Sequence, residues 1–263
     1  MSGPVRELTT RDMWDDRWRA TRLPAEVRKG EQRFLDAITD VFDRNFPRGR
    51  DVSLLEIGGA PGQWAVYLHR HLGHQVALLD YSPAGLQVAE ENFRRLGFPV
   101  RLVEGDMFDR ELRLPPADVV LSLGLIEHFE ALEDVIGAHL RWLKPGGLLA
   151  IGCPNFQGVN GAIKRWTAPH DYALHNVATM RIEDWSAFER RFSLTTLYKG
   201  YLGGFEPRLF KNVEGGHRVS RGLSLAFKAL AVLLNLRVLG RLRGLNSRWW
   251  SGYALAIYRA PAR

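Results

Sequence analysis

Acidic side chains stand where three successive apolar runs of the chain end. Glu56 lies near the end of VSLLEI, Asp80 ends QVALLD, and Asp106 follows PVRLVEG. An acid that ends a second strand can accept two hydrogen bonds from a ribose diol. An acid after the third strand can accept from an adenine amino group, and the next side chain, Met107, can pack on the ring. The three acids together therefore indicate a nucleoside ligand.

A glycine-rich turn follows the first of these runs. Residues 58–62 read GGAPG, and a helical pattern comes directly after them. Glycine at a strand-to-helix turn tolerates unusual dihedral angles and lets the backbone approach a ligand closely. A dinucleotide-binding G-x-G-x-x-G turn would need glycine at positions 60 and 63, where this chain has Ala60 and Gln63. The turn therefore argues against a nicotinamide or flavin dinucleotide.

Short apolar runs alternate with helical patterns from Val52 onwards. The runs are VSLLEI, QVALLD, PVRLVEGD, DVVLSLG and GLLAIGCP, and the helical patterns cover residues 64–71, 86–96 and 132–143. Strands that alternate with helices form βαβ units, which give a parallel sheet with right-handed crossovers. We therefore expect an α/β fold of the doubly wound, Rossmann-like class with a mostly parallel sheet.

The remaining segments are expected to complete a single domain over residues 1–263. Residues 1–50 should form a helical N-terminal cap and residues 52–155 a cofactor-binding core. Residues 156–263 should supply the acceptor side: a helix at IEDWSAFERRF, a strand at LTTLYKGYL, further helices and an antiparallel C-terminal strand at YALAIYRA. Because long irregular segments often carry binding functions, residues 155–180, with His170, Asp171 and His175, are expected to overhang an acceptor pocket.

The order of these motifs resembles the class I S-adenosylmethionine methyltransferase family over residues 52–155. In that family the first motif reads acid-x-Gly-x-Gly-x-Gly, and residues 56–62 here read EIGGAPG, with Ala60 in place of the middle glycine. Asp80 matches the family's ribose acid and Asp106 its adenine acid. DVVLSLGLIEHF matches its fourth-strand segment, and KPGG its turn before the fifth strand. The resemblance implies an enzyme that transfers a methyl group from S-adenosylmethionine to a small-molecule, sugar or lipid-like acceptor.

The same motifs imply which residues bind the cofactor. Leu123 is expected to contribute backbone and packing near the sulfonium. Structural roles remain open for two of the acids, since Glu56 can cap the following helix and Asp80 can form a turn ahead of Ser82 and Pro83. The full set of expected cofactor-binding residues is Glu56, Gly58, Gly59, Ala60, Gly62, Asp80, Tyr81, Asp106, Met107 and Leu123.

The pair Glu127-His128 follows the fourth strand, at the edge where the methyl group should point in this fold. We predict that His128 is catalytic, because it can take a proton from a hydroxyl, and this favours oxygen over nitrogen as the acceptor atom. The alternative is a histidine that caps a helix or bonds within the core. Some quinone-type O-methyltransferases of this family carry a further acid three residues before the Glu-His pair and hold a divalent metal. That position is Gly124 here, so we predict no metal site.

Composition narrows the remaining functions. The 263 residues, 46% of them hydrophobic, can bury a sizeable core, and the single Cys153 excludes an intrachain disulfide and a cysteine-built metal site. Without a basic-then-apolar leader at Met1, the protein is expected to be cytoplasmic. A formal charge of +7 is compatible with an anionic partner. Nucleic acid is disfavoured, because SLGL replaces the Asn/Asp-Pro-Pro-aromatic segment of methyltransferases that act on exocyclic amines of bases.

A basic and apolar helical pattern over residues 220–243 leaves several interpretations open. It can be a core-packed helix, a dimer contact, or a peripheral contact with an anionic membrane. A rival function follows from it, in which the chain is a non-catalytic subunit that binds the cofactor and holds a partner through this helix. The intact acids and glycine turn argue against that rival.

Overall fold

One sheet organises the structure, a computed structural model that describes residues 5–210, 212–214, 217–235 and 245–262. In those residues seven strands lie in the order β3-β2-β1-β4-β5-β7-β6. The strands are β1 (Ser53–Ile57), β2 (Gln75–Asp80), β3 (Arg101–Glu104), β4 (Ala117–Leu123), β5 (Leu143–Pro154), β6 (Thr195–Leu202) and β7 (Tyr253–Arg259).

Strand directions follow the predicted pattern. Neighbouring strands among β1 to β5 are all parallel, whereas β7 runs antiparallel to both β5 and β6. The chain moves outward from β1 to β3 and then returns to place β4 on the other side of β1. Such a reversal of strand order opens a crevice at the carboxyl ends of the two central strands. The sheet confirms the predicted Rossmann-like fold class, including the antiparallel C-terminal strand.

The helices that follow β1 and β2 begin at local signals. Gly62, with a φ of 84°, precedes α3, and Ser82 caps α4 by accepting the Gly85 N–H at 2.9 Å. Pro83 occupies the first turn of α4, where its missing N–H costs nothing. The helices are α1 (Arg11–Arg19), α2 (Arg33–Asn45), α3 (Gln63–Leu72), α4 (Pro83–Leu96), α5 (Leu132–Leu140), α6 (Gly158–Thr167), α7 (Pro169–Ala173), α8 (Ser186–Arg191) and α9 (His217–Asn235).

Apolar layers cover both faces of the sheet. One layer includes Phe42 of α2, Leu68 of α3 and Phe93 of α4, all fully buried. The other includes Ile136 of α5 and Tyr258 of β7. Because α2 packs into the first of these layers, the N-terminal segment is part of the sheet's own covering as well as a cap.

Residues 155–180 are more regular than predicted. Their sequence predicted an irregular segment, and this prediction was wrong. They form α6, α7 and a 3₁₀ turn at Val177–Met180. Tertiary contacts fix this path: the Asn155 amide donates to the carbonyls of Arg248 and Ser251, and the Asn160 amide donates to Asn155 and Ser251. Short helices gain most of their stability from such packing, so their polar, glycine-rich sequences carry little helical signal.

Two further boundaries differ from the expectation. Helix α5 ends at Leu140 because Leu143 already pairs with Ala117 in the sheet. The predicted helix over 220–243 corresponds to α9 as far as Asn235, and residues 236–244 lie outside the described residues. Within the described ranges, every helix falls short of the length and apolar character needed to cross a bilayer.

Candidate active site

A cavity of about 270 Å³ opens at the carboxyl ends of β1, β2 and β4, where the strand order reverses. This is the position at which ligands bind in open α/β sheets. The predicted catalytic residue His128 lines it, whereas Gly62 does not. The predicted cofactor residues in its wall are Glu56, Gly58, Gly59, Ala60, Asp80, Tyr81, Asp106, Met107 and Leu123.

The glycine turn has little room for side chains. A Cβ on Gly59 would lie 2.3 Å from Cγ of Glu56, and a Cβ on Gly62 would lie 2.4 Å from the ring of Phe93. Gly58 and Gly62 also have positive φ angles of 64° and 84°, which glycine adopts without strain. Ala60, the departure from the family motif, stands where its methyl group is tolerated. Gly62 therefore contributes to the shape of the turn without lining the cavity, because the ring of Phe93 lies where its side chain would be.

Asp80 sits at the end of β2 and has one oxygen fully engaged by the backbone. Its Oδ1 accepts the Ser82 N–H at 2.9 Å, while its Oδ2 has only a long contact of 3.4 Å from the Ala60 N–H. Burial raises the pKa of Asp80 to about 6, and the hydrogen bonds from Ser82, Ala60 and Tyr81 oppose that rise. The carboxylate is therefore ionised at neutral pH and keeps Oδ2 available for a ligand.

Glu56 has two roles to consider, because the sequence left open whether it caps the following helix or lines the binding site. Its Oε2 accepts the Ala65 N–H at 3.0 Å in the first turn of α3, so it caps that helix, and the side chain also lines the cavity. Burial raises the pKa of Glu56 to about 8, against the lowering effect of the Ala65 hydrogen bond. A cation bound in the cavity would favour the ionised form of this carboxyl group.

Asp106 and Met107 follow β3 and differ in exposure. Asp106 is exposed, and its Oδ1 accepts the Phe108 N–H at 2.8 Å, which closes a turn. Met107 is buried and contributes to the apolar layer under the cavity. A ligand at this end would meet one solvent-facing acid and one apolar wall.

The N-terminal segment forms part of the cavity wall. This contribution was not predicted from the sequence. The Tyr81 hydroxyl donates to Oε1 of Glu7 at 2.7 Å, and Glu7 forms an isolated antiparallel bridge with Phe129. The edge of the Trp14 ring meets the ring of His128, with centroids 5.1 Å apart. The spacing of Trp14 and Trp18 by one helical turn was the only sequence signal. The N-terminal residues that line the cavity are Val5, Glu7, Trp14 and Trp18.

His128 is a buried histidine with one ring nitrogen fixed. Its Nδ1 lies 2.8 Å from the carbonyl oxygen of Leu174, which places the proton on Nδ1 and leaves the lone pair on Nε2. Burial lowers the pKa of His128 to about 4, and the nearby His175 adds to the effect. The ring is therefore neutral at neutral pH and can accept a hydrogen bond through Nε2.

Glu127, His128 and His175 form the group that could hold a metal ion, with potential ligand atoms within 4.8 Å of one another. The His175 Nδ1 lies 2.6 Å from the Asp171 carbonyl, so its Nε2 also carries the lone pair. In the described structure Glu127 Oε2 has no hydrogen-bond partner, and Glu127 Oε1 is 3.8 Å from His128 Nε2. Ligand atoms around a small divalent ion lie only about 3 to 3.4 Å apart, so the group would have to contract to bind one. The absence of a metal stays a prediction.

The other polar residues expected on the acceptor side do not line this cavity. His170 bonds Glu214 at the surface, and Asp171 pairs with Lys164. His175 reaches the site indirectly, because its ring lies 4.8 Å from that of His128 and 5.0 Å from that of Phe156. Residues 155–180 therefore approach the acceptor end through the ring of His175 and through the carbonyl of Leu174, which is bonded to His128.

Residues 54–147, from β1 to the turn inside β5, match the sequence model of a methyltransferase domain. The chain contains a methyltransferase domain. The match confirms the family predicted from the motifs, and the methyltransferase domain carries the glycine turn, Asp80, Asp106 and His128.

Two curated proteins are similar to parts of the chain. A highly reducing polyketide synthase of Phaeosphaeria nodorum is 30% identical over 108 residues, which are 38% of this chain and 4% of that protein. Phosphoethanolamine N-methyltransferase 1 of Triticum aestivum is 25% identical over 160 residues, which are 58% of this chain and 32% of that protein. The chain thus spans about a third or less of the length of these relatives.

Solved structures share the fold of the methyltransferase domain and its surroundings. Coclaurine N-methyltransferase, in its crystal structure with N-methylheliamine and SAH, has a TM-score of 0.59 at 13% identity, over 94% of this chain and 85% of that chain. Geranyl diphosphate C-methyltransferase from Streptomyces coelicolor A3(2) has a TM-score of 0.55 at 15% identity, over 86% and 78% of the two chains. These likenesses extend the common fold beyond residues 54–147 to most of the chain.

Proposed function

We propose that the chain transfers the methyl group of S-adenosylmethionine to a small-molecule acceptor, with oxygen favoured over nitrogen as the acceptor atom. One observation carries the proposal: a single cavity has the acids that end β1 and β2 in one part of its wall and His128 in another. The methyltransferase-domain match and the methyltransferases among the similar proteins support it.

The nucleoside end of the cofactor fits the side of the cavity next to β2 and β3. Asp80 is ionised at neutral pH, and its Oδ2 can accept from ribose hydroxyls while Oδ1 stays bonded to Ser82. Asp106 can accept from an adenine amino group at the exposed rim, with Met107 beneath the ring. Gly59 lines the same cavity, and the Glu56 side chain occupies the place that a Cβ on Gly59 would need.

Positive charge on the cofactor fits the Glu56 end. This carboxyl group is buried, and burial raises its pKa to about 8, so in the empty site it is largely protonated at neutral pH. A bound cation would favour its ionised form and gain an ion pair inside a protein wall, where such pairs are weakly screened. The Trp14 and Trp18 rings line the same cavity and give this part of its wall an apolar character.

His128 is placed to serve the acceptor. The sulfonium supplies a methyl group that is already activated for in-line displacement, so alignment of the acceptor is the main requirement. A hydroxyl can donate its proton to Nε2 of His128, because Nδ1–H is held by Leu174. The pKa of about 4 makes His128 a weak base. A weak base suffices, because the hydroxyl proton becomes strongly acidic once the oxygen–carbon bond begins to form.

The test measures both cofactor binding and methyl transfer by the same protein. Calorimetry with S-adenosylhomocysteine should show one site per chain, and incubation with methyl-labelled cofactor and a metabolite extract should label a small molecule. A folded protein that fails to bind S-adenosylhomocysteine would contradict the proposal. Binding without transfer of label to any acceptor, including hydroxyl compounds and amines, would instead support the non-catalytic subunit.

A further inference from the structure

Large apolar side chains are exposed on three neighbouring parts of the chain: α6, which bonds the turn before β7 at one end and Glu214 at the other, that turn, and α9, which follows Glu214. They include Trp166 of α6, Leu225 and Val232 of α9, and Trp249 and Trp250 of the turn. We call them the tryptophan surface. Trp166 is 73% exposed, Leu225 64% and Val232 60%, although these are among the residue types most often buried in soluble domains. Large apolar side chains exposed close together usually mark an interaction site.

Hydrogen bonds at the two ends of α6 hold the parts of this surface together. At its start, the Val159 N–H donates to the carbonyl of Trp249 at 2.9 Å. At its end, the Glu214 N–H, just before α9, donates to the carbonyl of Thr167 at 2.7 Å. Ten residues of helix span about 15 Å, so the tryptophan surface is at least that wide.

Helix α9 presents apolar residues on more than the side that faces the domain. Phe227 packs on Phe210 with ring centroids 5.4 Å apart, and Ala231, one turn further on, is fully buried. Leu225 and Val232 are two turns apart on another face and point to solvent. Packing against the domain accounts for Phe227 and Ala231 but leaves Leu225 and Val232 of the same helix exposed.

The charge of the tryptophan surface is mostly positive, with Glu214 at one end. From position 215 to the end of the sequence there is no aspartate or glutamate, whereas lysine and arginine recur throughout. In the described residues Arg221 and Lys228 lie on α9, and Arg248 stacks over the Trp249 ring at 4.3 Å. Basic side chains among exposed tryptophan and leucine residues are the composition of helices that lie in a membrane interface.

We propose that the tryptophan surface binds the anionic face of a lipid bilayer. Aliphatic side chains such as Leu225 and Val232 gain by entering the acyl boundary, tryptophan rings favour the headgroup level, and the basic residues pair with anionic lipid. A second copy of the chain is a poorer occupant, because a two-fold contact would bring this positive surface against itself. Nucleic acid would leave the aliphatic residues without apolar partners.

The surface also borders a groove whose wall is in ring contact with residues at the acceptor end of the cavity. Trp249, Arg165 and Tyr172 line this groove together with Phe156, and the ring of Phe156 contacts His175, which contacts His128. If the proposed methyl transfer holds, an amphipathic acceptor could keep its tail in the bilayer while its head group approaches His128. This part rests on the proposed function, whereas membrane binding does not.

Co-sedimentation with vesicles tests the proposal. The wild-type chain should sediment with vesicles of mixed phosphatidylcholine and phosphatidylglycerol, and only weakly with phosphatidylcholine alone. Leu225→Glu with Val232→Glu should lower the partition coefficient at least about 30-fold, because two side chains lose their apolar transfer. Leu197→Glu, at an exposed apolar position on β6 away from the surface, is the matched control and should leave binding unchanged.

Calorimetry with S-adenosylhomocysteine on each variant keeps membrane binding and cofactor binding apart. If the α9 double variant unfolds, Trp166→Ser provides a second test at a side chain that is mostly in solvent. Wild-type protein that stays in the supernatant with anionic vesicles would overturn the proposal. Equal losses of vesicle binding in Leu197→Glu and in the α9 double variant would also overturn it. So would a wild-type dimer in light scattering that becomes a monomer in the α9 double variant, if the wild-type protein does not bind vesicles.

Discussion

Replacement of Asp80 by alanine is the sharpest test of how the cavity holds a nucleoside. Asp80 is 5% exposed, ionised at neutral pH, and one of its oxygens, Oδ2, has only the long Ala60 contact. Hydrogen bonds to a charged group contribute about 1.5 to 3 kcal/mol. Their loss corresponds to a roughly 10- to 150-fold rise in the Kd for S-adenosylhomocysteine.

The same substitution removes a structural hydrogen bond, so affinity must be measured on folded protein. Asp80 Oδ1 accepts the Ser82 N–H, and Ser82 in turn caps α4. Asp80→Asn keeps an acceptor for Ser82 and should have a nearly wild-type Tm, with an affinity between those of the wild type and Asp80→Ala. Thermal unfolding and calorimetry at the same pH separate the two effects.

A charge control comes from the opposite end of the sheet. Asp118 pairs with Lys144 and bonds Ser53 at the start of β1, far from the carboxyl ends of the strands. Asp118→Asn removes one negative charge and should leave the Kd unchanged. Unchanged affinity in folded Asp80→Ala, or an equal loss in Asp118→Asn, would refute the placement of the ribose beside β2.

Three further outcomes follow from the same geometry. Asp106→Asn should weaken S-adenosylhomocysteine binding less than Asp80→Ala, because Asp106 is exposed; calorimetry that gives the reverse order would contradict the adenine placement. His128→Ala should lower kcat by roughly 10² to 10⁴ with little change in the Kd for the cofactor. The control is the buried His139, which is bonded to Ser122. Its replacement by alanine should lower Tm but leave turnover per folded molecule unchanged. Burial raises the pKa of Asp80 to about 6, so this carboxylate is charged above that pH and loses its charge below it. Its protonation alone should make binding at pH 5 about tenfold weaker than at pH 7, and Asp80→Asn should remove that part of the pH dependence.

The placement of the predicted cofactor residues at one cavity was accessible from sequence because parallel strands bring their carboxyl ends to one edge. Once VSLLEI, QVALLD and PVRLVEGD are identified as consecutive parallel strands, Glu56, Asp80 and Asp106 must gather at that edge. The glycine turn is equally local, since positive φ angles at Gly58 and Gly62 follow from a strand-to-helix reversal. Alternation of strand and helix thus determined the fold class and most of the cavity wall.

Contacts between distant segments were decided by the tertiary structure alone. Glu7 meets Tyr81, and Trp14 meets His128, only because α1 folds back over the open ends of the strands. Periodicity reports which face of a helix is apolar but not which partner covers it, so it predicted neither the N-terminal wall of the cavity nor His175 beside His128. The same reason applies to α9: its apolar pattern was plain in the sequence, but whether neighbouring elements bury Leu225 and Val232 or leave them in solvent is settled by packing.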